Sequence, residues 1–267
     1  MKKIFLTLLG LLLSVPVFAA CPAAGFEGAV CRGHTLSTEN KPAEALTSYI
    51  EAEELAIEPF EKMLAITFQA RANKAAGNMD QAITLFQQGF EAAKIANSAQ
   101  GQWINLNEGA ELLLAKNETT KALEAFKQGY GFAANANERA ESNRLIASAY
   151  KQLGDYDHAI EYQLKCSVLE RSNGDLNHYL LATLELAELR TGAKNYVQAQ
   201  KNLDEVLHQA KAANSDYWLA KTMLYQARLE KSQGRASLAQ TLLQQAFALA
   251  QKVGDANLSH DIAADQN

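Results

Sequence analysis

Proline is missing from the sequence beyond Pro59; the four that occur stand at Pro16, Pro22, Pro42 and Pro59. With none to interrupt it, the alanine-, leucine- and glutamine-rich remainder predicts a long succession of helices. Basic charge is not in excess. Against 30 Asp and Glu there are 25 Lys and Arg, a net charge of −5, which argues against nucleic acid as a partner. After the N-terminal segment no stretch approaches the ~18 uninterrupted apolar residues of a spanning helix, so no transmembrane span is expected. Histidines are scattered singly at His34, His158, His178, His208 and His260, without an HExxH motif or a Cys/His cluster of zinc spacing. His178, Glu185 and Glu188 fall near one line of a helix, and such carboxylates read as a solvated face. Nor is there a P-loop, a nucleophile elbow or a dinucleotide-binding glycine motif. Neither a metal, a cofactor nor an enzyme is expected, because no set of acid, base and nucleophile can be assembled.

What is present begins at the N-terminus. Met1-Lys2-Lys3, an apolar run from Ile4 to Val17 and the small residues Ala19 and Ala20 have the three-part layout of a secretory leader. Two processing routes compete. Cleavage after Ala19 yields a free periplasmic protein in which Cys21 is an ordinary cysteine. Alternatively, Phe18-Ala19-Ala20-Cys21 resembles a bacterial lipobox, with phenylalanine where leucine is usual, and Cys21 becomes a lipid anchor. In an oxidising compartment Cys21 and Cys31 can close a short loop over the glycine-rich stretch from Gly25 to Gly33. Lipidation would instead consume Cys21 and leave Cys31 free.

Along the proline-free tract one phrase recurs: a turn residue, alanine five positions on, and a core residue four further. Its copies are Gly77/Ala82/Phe86, Asn117/Ala122/Phe126, Gly154/Ala159/Gln163, Lys194/Ala199/Leu203 and Gly234/Ala239/Leu243, spaced by 40, 37, 40 and 40 residues. A second alanine precedes each marker by twelve residues, at Ala70, Ala110, Ala147, Ala187 and Ala227. Helix ends in the same phase are expected at Asn97, Asn135 or Asn137, Gly174, Asn214 and Gly254, types that tolerate the left-handed conformation. Each repeat is therefore read as a hairpin of two amphipathic helices that buries its apolar face only by stacking, with small residues at the closest helix approaches. Cys166 stands where other repeats place Gly89, Gly129, Val206 and Ala246, and reads as a small buried filler. Trp103 and Trp218, near the starts of first helices, read as inter-repeat packing.

The stretch from Asn143 to Tyr162, with Ala147-Ser148-Ala149-Tyr150, Leu153-Gly154-Asp155-Tyr156 and Ala159, resembles the tetratricopeptide repeat (TPR) consensus almost position by position. Ala82-x-x-x-Phe86 and Ala122-x-x-x-Phe126 resemble its second-helix signature. The family repeat is usually shorter and ends in proline, so the resemblance is to a long-repeat, exported bacterial subclass. It implies an all-α, right-handed α-solenoid of about five antiparallel helix pairs with an N-terminal capping helix. The chain divides into a leader (1–19), a Cys/Gly-rich segment (20–40), a capping helix (41–56), repeats at 59–97, 98–137, 138–174, 175–214 and 215–254, and a polar tail (255–267). The segment from Pro42 to Ala56, with Ala45, Tyr49 and Ala52 in register, resembles a second helix lacking its first, with Thr38 as N-cap. No capping helix is evident from Ala256 to Asn267. Leu242, Phe247 and Leu249 are then left as a C-terminal surface for self-association.

In TPR proteins the first helices line a concave groove that holds peptide segments. Mapped onto this sequence, the groove positions are Thr67, Arg71 and Lys74; Asn107 and Glu111; Arg144, Ser148 and Lys151; Leu184 and Glu188; and Leu224, Arg228 and Lys231. Long cations predominate among them, so an acidic segment or a terminal carboxylate is the expected ligand. The bland reading is a solubilising face, and the family's carboxylate-clamp pattern is not reproduced. The resemblance implies a non-catalytic scaffold or adaptor in the bacterial cell envelope that binds a protein or peptide partner. The alternative is a peptide or small-molecule sensor acting through a change of solenoid shape.

Overall fold

The computed structural model describes residues 21–266; the leader proposed at residues 1–19 lies outside them. Among the described residues there are thirteen helices and no strand. They are α1 (Gly25–Thr38), α2 (Pro42–Leu55), α3 (Pro59–Ala75), α4 (Met79–Ile95), α5 (Ala99–Ala115), α6 (Thr119–Tyr130), α7 (Ala136–Gln152), α8 (Tyr156–Asn173), α9 (Leu176–Gly192), α10 (Tyr196–Ala212), α11 (Asp216–Ser232), α12 (Ala236–Val253) and α13 (Ala256–Gln266). Consecutive helices pack on one another along the whole chain.

Backbone conformation at the turns makes the hairpins. Gly77, Asn117, Gly154, Lys194 and Gly234 all have positive φ, between 59° and 81°. Four of the five are types that adopt this region readily, whereas Lys194 carries its steric cost. Between hairpins the same role falls to Asn97, Gly174, Asn214 and Gly254. The remaining expected helix end, at Asn135 or Asn137, is not one. There α6 stops at Tyr130, and Asn135 begins the next helix: its Oδ1 accepts a hydrogen bond from the Glu138 N–H at 2.9 Å, while Glu138 accepts from the Ala134 N–H at 2.6 Å. The three-residue shortening of that repeat thus falls on α6, which has 12 residues against 17 in α4 and α10.

All ten marker alanines are buried, as are Phe86, Phe126, Gln163, Leu203 and Leu243 one turn on. Buried polar groups add register between neighbouring first helices. Thr67 on α3 and Asn105 on α5 hydrogen-bond to each other at 3.0–3.1 Å. The Trp103 Nε1–H donates to Ser142 Oγ and the Trp218 Nε1–H to Asn177 Oδ1, both at 2.9 Å, so each indole ties one repeat to a neighbour. The first helices α3, α5 and α7, and likewise α9, α11 and α13, also touch along the series, whereas successive second helices make no comparable contact. The stack therefore curves with the first helices on its inner, concave side.

Both ends differ from expectation. The glycine-rich segment at the N-terminus forms α1, which pairs with α2, so α2 is not a half-repeat. Its glycines are contact points: a Cβ on Gly33 would lie 2.4 Å from the Tyr49 ring, so only glycine lets α1 reach α2 there. Thr38 ends α1, its hydroxyl donating to the Thr35 carbonyl at 2.7 Å, and the α2 N-cap position is held by Lys41. At the other end, residues 256–266 are not a polar tail but α13. Leu258 and Ile262 are buried in one cluster with Leu224, Leu243 and Ala246. Leu242, Phe247 and Leu249 are half-buried against that cluster, which removes the ground for a self-association surface there.

Candidate partner-binding groove

The concave face is built from α3, α5, α7, α9, α11 and α13, and its cations are tied to acids by a repeated rule. Arg71 on α3 makes a bidentate contact with Glu108 on α5 (Nε to Oε1 and Oε2 at 3.0 Å, Nη2 to Oε1 at 2.5 Å). Lys74 pairs with Glu111 at 3.4 Å, Lys151 with Glu188 at 2.9 Å, and Arg228 with Asp265 of α13 at 2.5 Å. In each of these four pairs the acid lies 37 residues after the cation. A repeat advances 40 residues, so the acid sits one helical turn before the cation's own counterpart on the next first helix. Arg228 also lies 3.6 Å from Glu188, linking three helices.

Within α7, Arg144 grips Glu141 three residues back, its Nε donating at 2.8 Å. That hydrogen bond holds the guanidinium charged, outweighing burial. Arg71 is held protonated in the same way by Glu108. Glu185 on α9 is shifted upwards by burial, with Arg144 and a 3.0 Å hydrogen bond from Gln163 Nε2 acting in the opposite direction.

The expected excess of cations on this face is thus cancelled by acids contributed from within the stack. Arg71, Lys74, Arg144, Lys151 and Arg228 are all ion-paired, with Glu108, Glu141 and Asp265 as partners that the sequence mapping did not single out. Lys231 lines a small cavity beside Arg228 and Asp265. Ser148 is half-buried beside Arg144, Lys151, Glu185 and Glu188. Asn107 is not a groove residue. It is 4% exposed, both its amide atoms lack a hydrogen-bond partner, and Gly129 of α6 lies against it. Thr67, Leu184 and Leu224 are buried as well. Asn107, Leu184 and Leu224 are the counterparts of Thr67, and of that column only Arg144, with a longer side chain, reaches the face.

At the middle of the face a pocket of 450 Å³ opens between α7 and α9. Trp103, Leu181 and Ala182 give it apolar walls, and Glu138, Glu141, Glu170 and Glu185 line it against Arg144 and His178. Cys166 is buried at its edge, with its thiol pushed up to about 12, chiefly by burial, so the thiolate needed for reactivity is scarce at neutral pH. His178 lies 3.7 Å from both Glu170 and Asp175. Among the described residues no group of three or more His, Cys, Asp or Glu is placed to hold a metal ion. No helix of the described residues is long and apolar enough to cross a membrane.

Residues 140–173, most of α7 and all of α8, match the family model described as tetratricopeptide repeat. The chain has the fold of a tetratricopeptide-repeat solenoid. Solved structures extend the likeness across the stack. The apo form of RapI superposes with a TM-score of 0.69 at 13% identity, covering 90% of this chain and 96% of that one. The kinesin light chain TPR-like repeats of Podosopora anserina give 0.60 at 20% identity, covering 70% and 96%. A Rap protein complexed with Competence and Sporulation Factor gives 0.56 at 16%, covering 90% and 73%. At these identities the likeness is one of fold. No curated protein matches the sequence. In this TPR solenoid α7 and α8 form the repeat that carries the family pattern most fully, and they also supply most of the central pocket.

Proposed function

We propose that this chain is a non-catalytic protein-interaction scaffold or adaptor of the bacterial cell envelope, holding a segment of a partner protein along its concave face. The observation that carries the reading is the self-neutralised ladder of that face, broken in the middle by a pocket whose carboxylates outnumber its cations. A solubilising surface has no need of an indole-walled pocket at the centre of its curve. A segment laid along the face meets paired charges at both ends and an acidic, partly apolar pocket between them. The partner segment therefore carries a Lys or Arg whose aliphatic stem packs on Trp103 and whose charge meets Glu141 and Glu185. This differs from the acidic ligand expected from sequence, because three of the acids that cancel the groove cations, Glu108, Glu141 and Asp265, were not visible as groove residues. The neighbouring Rap fold in complex with a factor supports the use of such a stack for binding.

The test is selection of 12-residue peptides from a random display library on the purified protein. Basic residues flanked by apolar ones should be enriched. The Glu141→Gln/Glu185→Gln variant should bind the winning peptides at least tenfold more weakly, the loss of two charge-assisted contacts of about 1.5–3 kcal/mol each being ample for that. Enrichment of acidic peptides, or equal binding by the variant, would reject the reading.

For the compartment we infer export and a free mature form. Cys21 and Cys31 are joined in a disulfide with Cα atoms 5.5 Å apart. A lipid thioether on Cys21 would need the same sulfur. Intact-mass measurement on osmotic-shock fluid, without reductant, should find a chain starting at Ala20 and lighter by two hydrogens than its reduced form. A diacylglyceryl mass on Cys21, or recovery only from the cytosol with free thiols, would overturn this.

A further inference from the structure

We propose that the convex side carries a second docking site, in which the cleft between α4 and α6 receives an amphipathic helix of a partner protein, apolar on one face and basic along its edge. This site lies on the opposite side of the stack from the groove and does not depend on it. Both α4 and α6 pack on α5 but make no comparable contact with each other, and the gap between them is a cleft of 680 Å³. That volume lies inside the roughly 300–1,000 Å³ typical of binding clefts. Ile83 and Phe90 from α4 and Leu106 and Leu113 from α5 give it apolar lining, with the fully buried Phe86 beneath. Thr84 on α4 and Ala125 on α6 are short side chains in its two walls. The gap between α8 and α10 is different. It holds only 230 Å³, with Arg171 lying over the Tyr179 ring within it.

A cleft between two helices, floored by a third, has the shape into which a helix lays an i, i+3, i+4, i+7 stripe. The charge of the rim selects the partner's edge. Asp80, Glu91, Glu118 and Glu124 stand against Lys116 and Lys121. Both lysines are already engaged: Lys116 straps one end by pairing with Asp80 and Glu118, and Lys121 pairs with Glu118 at 2.7 Å. Glu91 is held by Lys94. Glu124 is exposed and has no ion pair among the described residues. The rim is therefore net negative, four carboxylates against two lysines, and Glu124 leaves its charge unpaired among the described residues.

The test uses three fluorescent 16-residue peptides, each stapled as a helix, and the full mature protein. One carries a leucine stripe flanked by lysines, the second the same stripe flanked by glutamates, and the third the lysine composition scrambled so that no stripe forms. Fluorescence anisotropy should show saturable binding of the first only. Thr84→Trp and Ala125→Trp, which fill the cleft from opposite walls, should each weaken it at least tenfold. Two variants guard against one failing to fold, which circular dichroism will reveal. Glu124→Lys should weaken it severalfold without altering the fold. Binding of the glutamate or scrambled peptide equal to that of the first, no binding of the first, or unchanged binding by both folded tryptophan variants would each overturn the proposal. Loss of binding on Glu141→Gln/Glu185→Gln instead would place the peptide in the concave groove and overturn it as well.

Discussion

Replacing Ile262 with aspartate is expected to detach α13 and lower stability by about 3–6 kcal/mol, with aggregation seen as a rise in mass on light scattering. Ile262 is 0% exposed and packs with Leu258 against α11 and α12. A carboxylate there has no cation in its cluster, and burying an unpaired charge costs more than undocking an eleven-residue helix. The loss is therefore capped at what α13 contributes, which is the burial of two large aliphatic side chains at about 1.5–3 kcal/mol each. Undocking uncovers Leu224, Leu243 and Ala246 together with the half-buried Phe247, a contiguous apolar face of the kind that associates. It also removes Asp265 from Arg228. A variant that keeps both its melting temperature and its mass would show that α13 is not the cap of the stack.

Phe126→Ala should cost about 3–5 kcal/mol and split thermal unfolding into two transitions. Phe126 is fully buried among Ala110, Ala122, Leu145, Ile146 and Ala149, so it joins α5 and α6 to α7. In a solenoid each repeat contacts only its neighbours, and cooperativity is carried by interfaces in series. α6 is already the shortest of the second helices, stopping five residues sooner than α4. A cavity placed there should uncouple α1 to α5 from α7 to α13. Circular dichroism and calorimetry would register two midpoints where the parent has one. A single transition merely shifted downward would mean that the coupling runs through other contacts, such as the hydrogen bond from Trp103 to Ser142.

How far the sequence could be read depended on whether a feature repeated in phase. The positive-φ turn residues, the ten alanines and the aromatic or aliphatic plugs recur at a fixed position in each hairpin, and all lie where the periodicity puts them. The α1 helix was missed because its buried face is made of Gly28, Ala29 and Gly33, which carry almost no hydrophobic signal yet allow the closest approach. Only two large aliphatics, Leu258 and Ile262, mark α13, too few to show a stripe. The groove was misread for a geometric reason. Its ion pairs run at 37 residues while the repeat runs at 40, so aligning repeats in columns separates each cation from its acid. In the column of Thr67, Asn107, Arg144, Leu184 and Leu224 only Arg144 reaches the surface, and the other four are buried.

Asn107 shows that the interior is not optimised throughout, since a buried amide without partners is a standing cost. The ends of the stack are finished more completely. No large apolar side chain is exposed on α1 or on α13. A repeat array with one open face can add copies of itself like tiles, so its length becomes a matter of concentration. With a disulfide-clasped helix at one end and a two-residue apolar seal at the other, neither end of the described stack presents such a face.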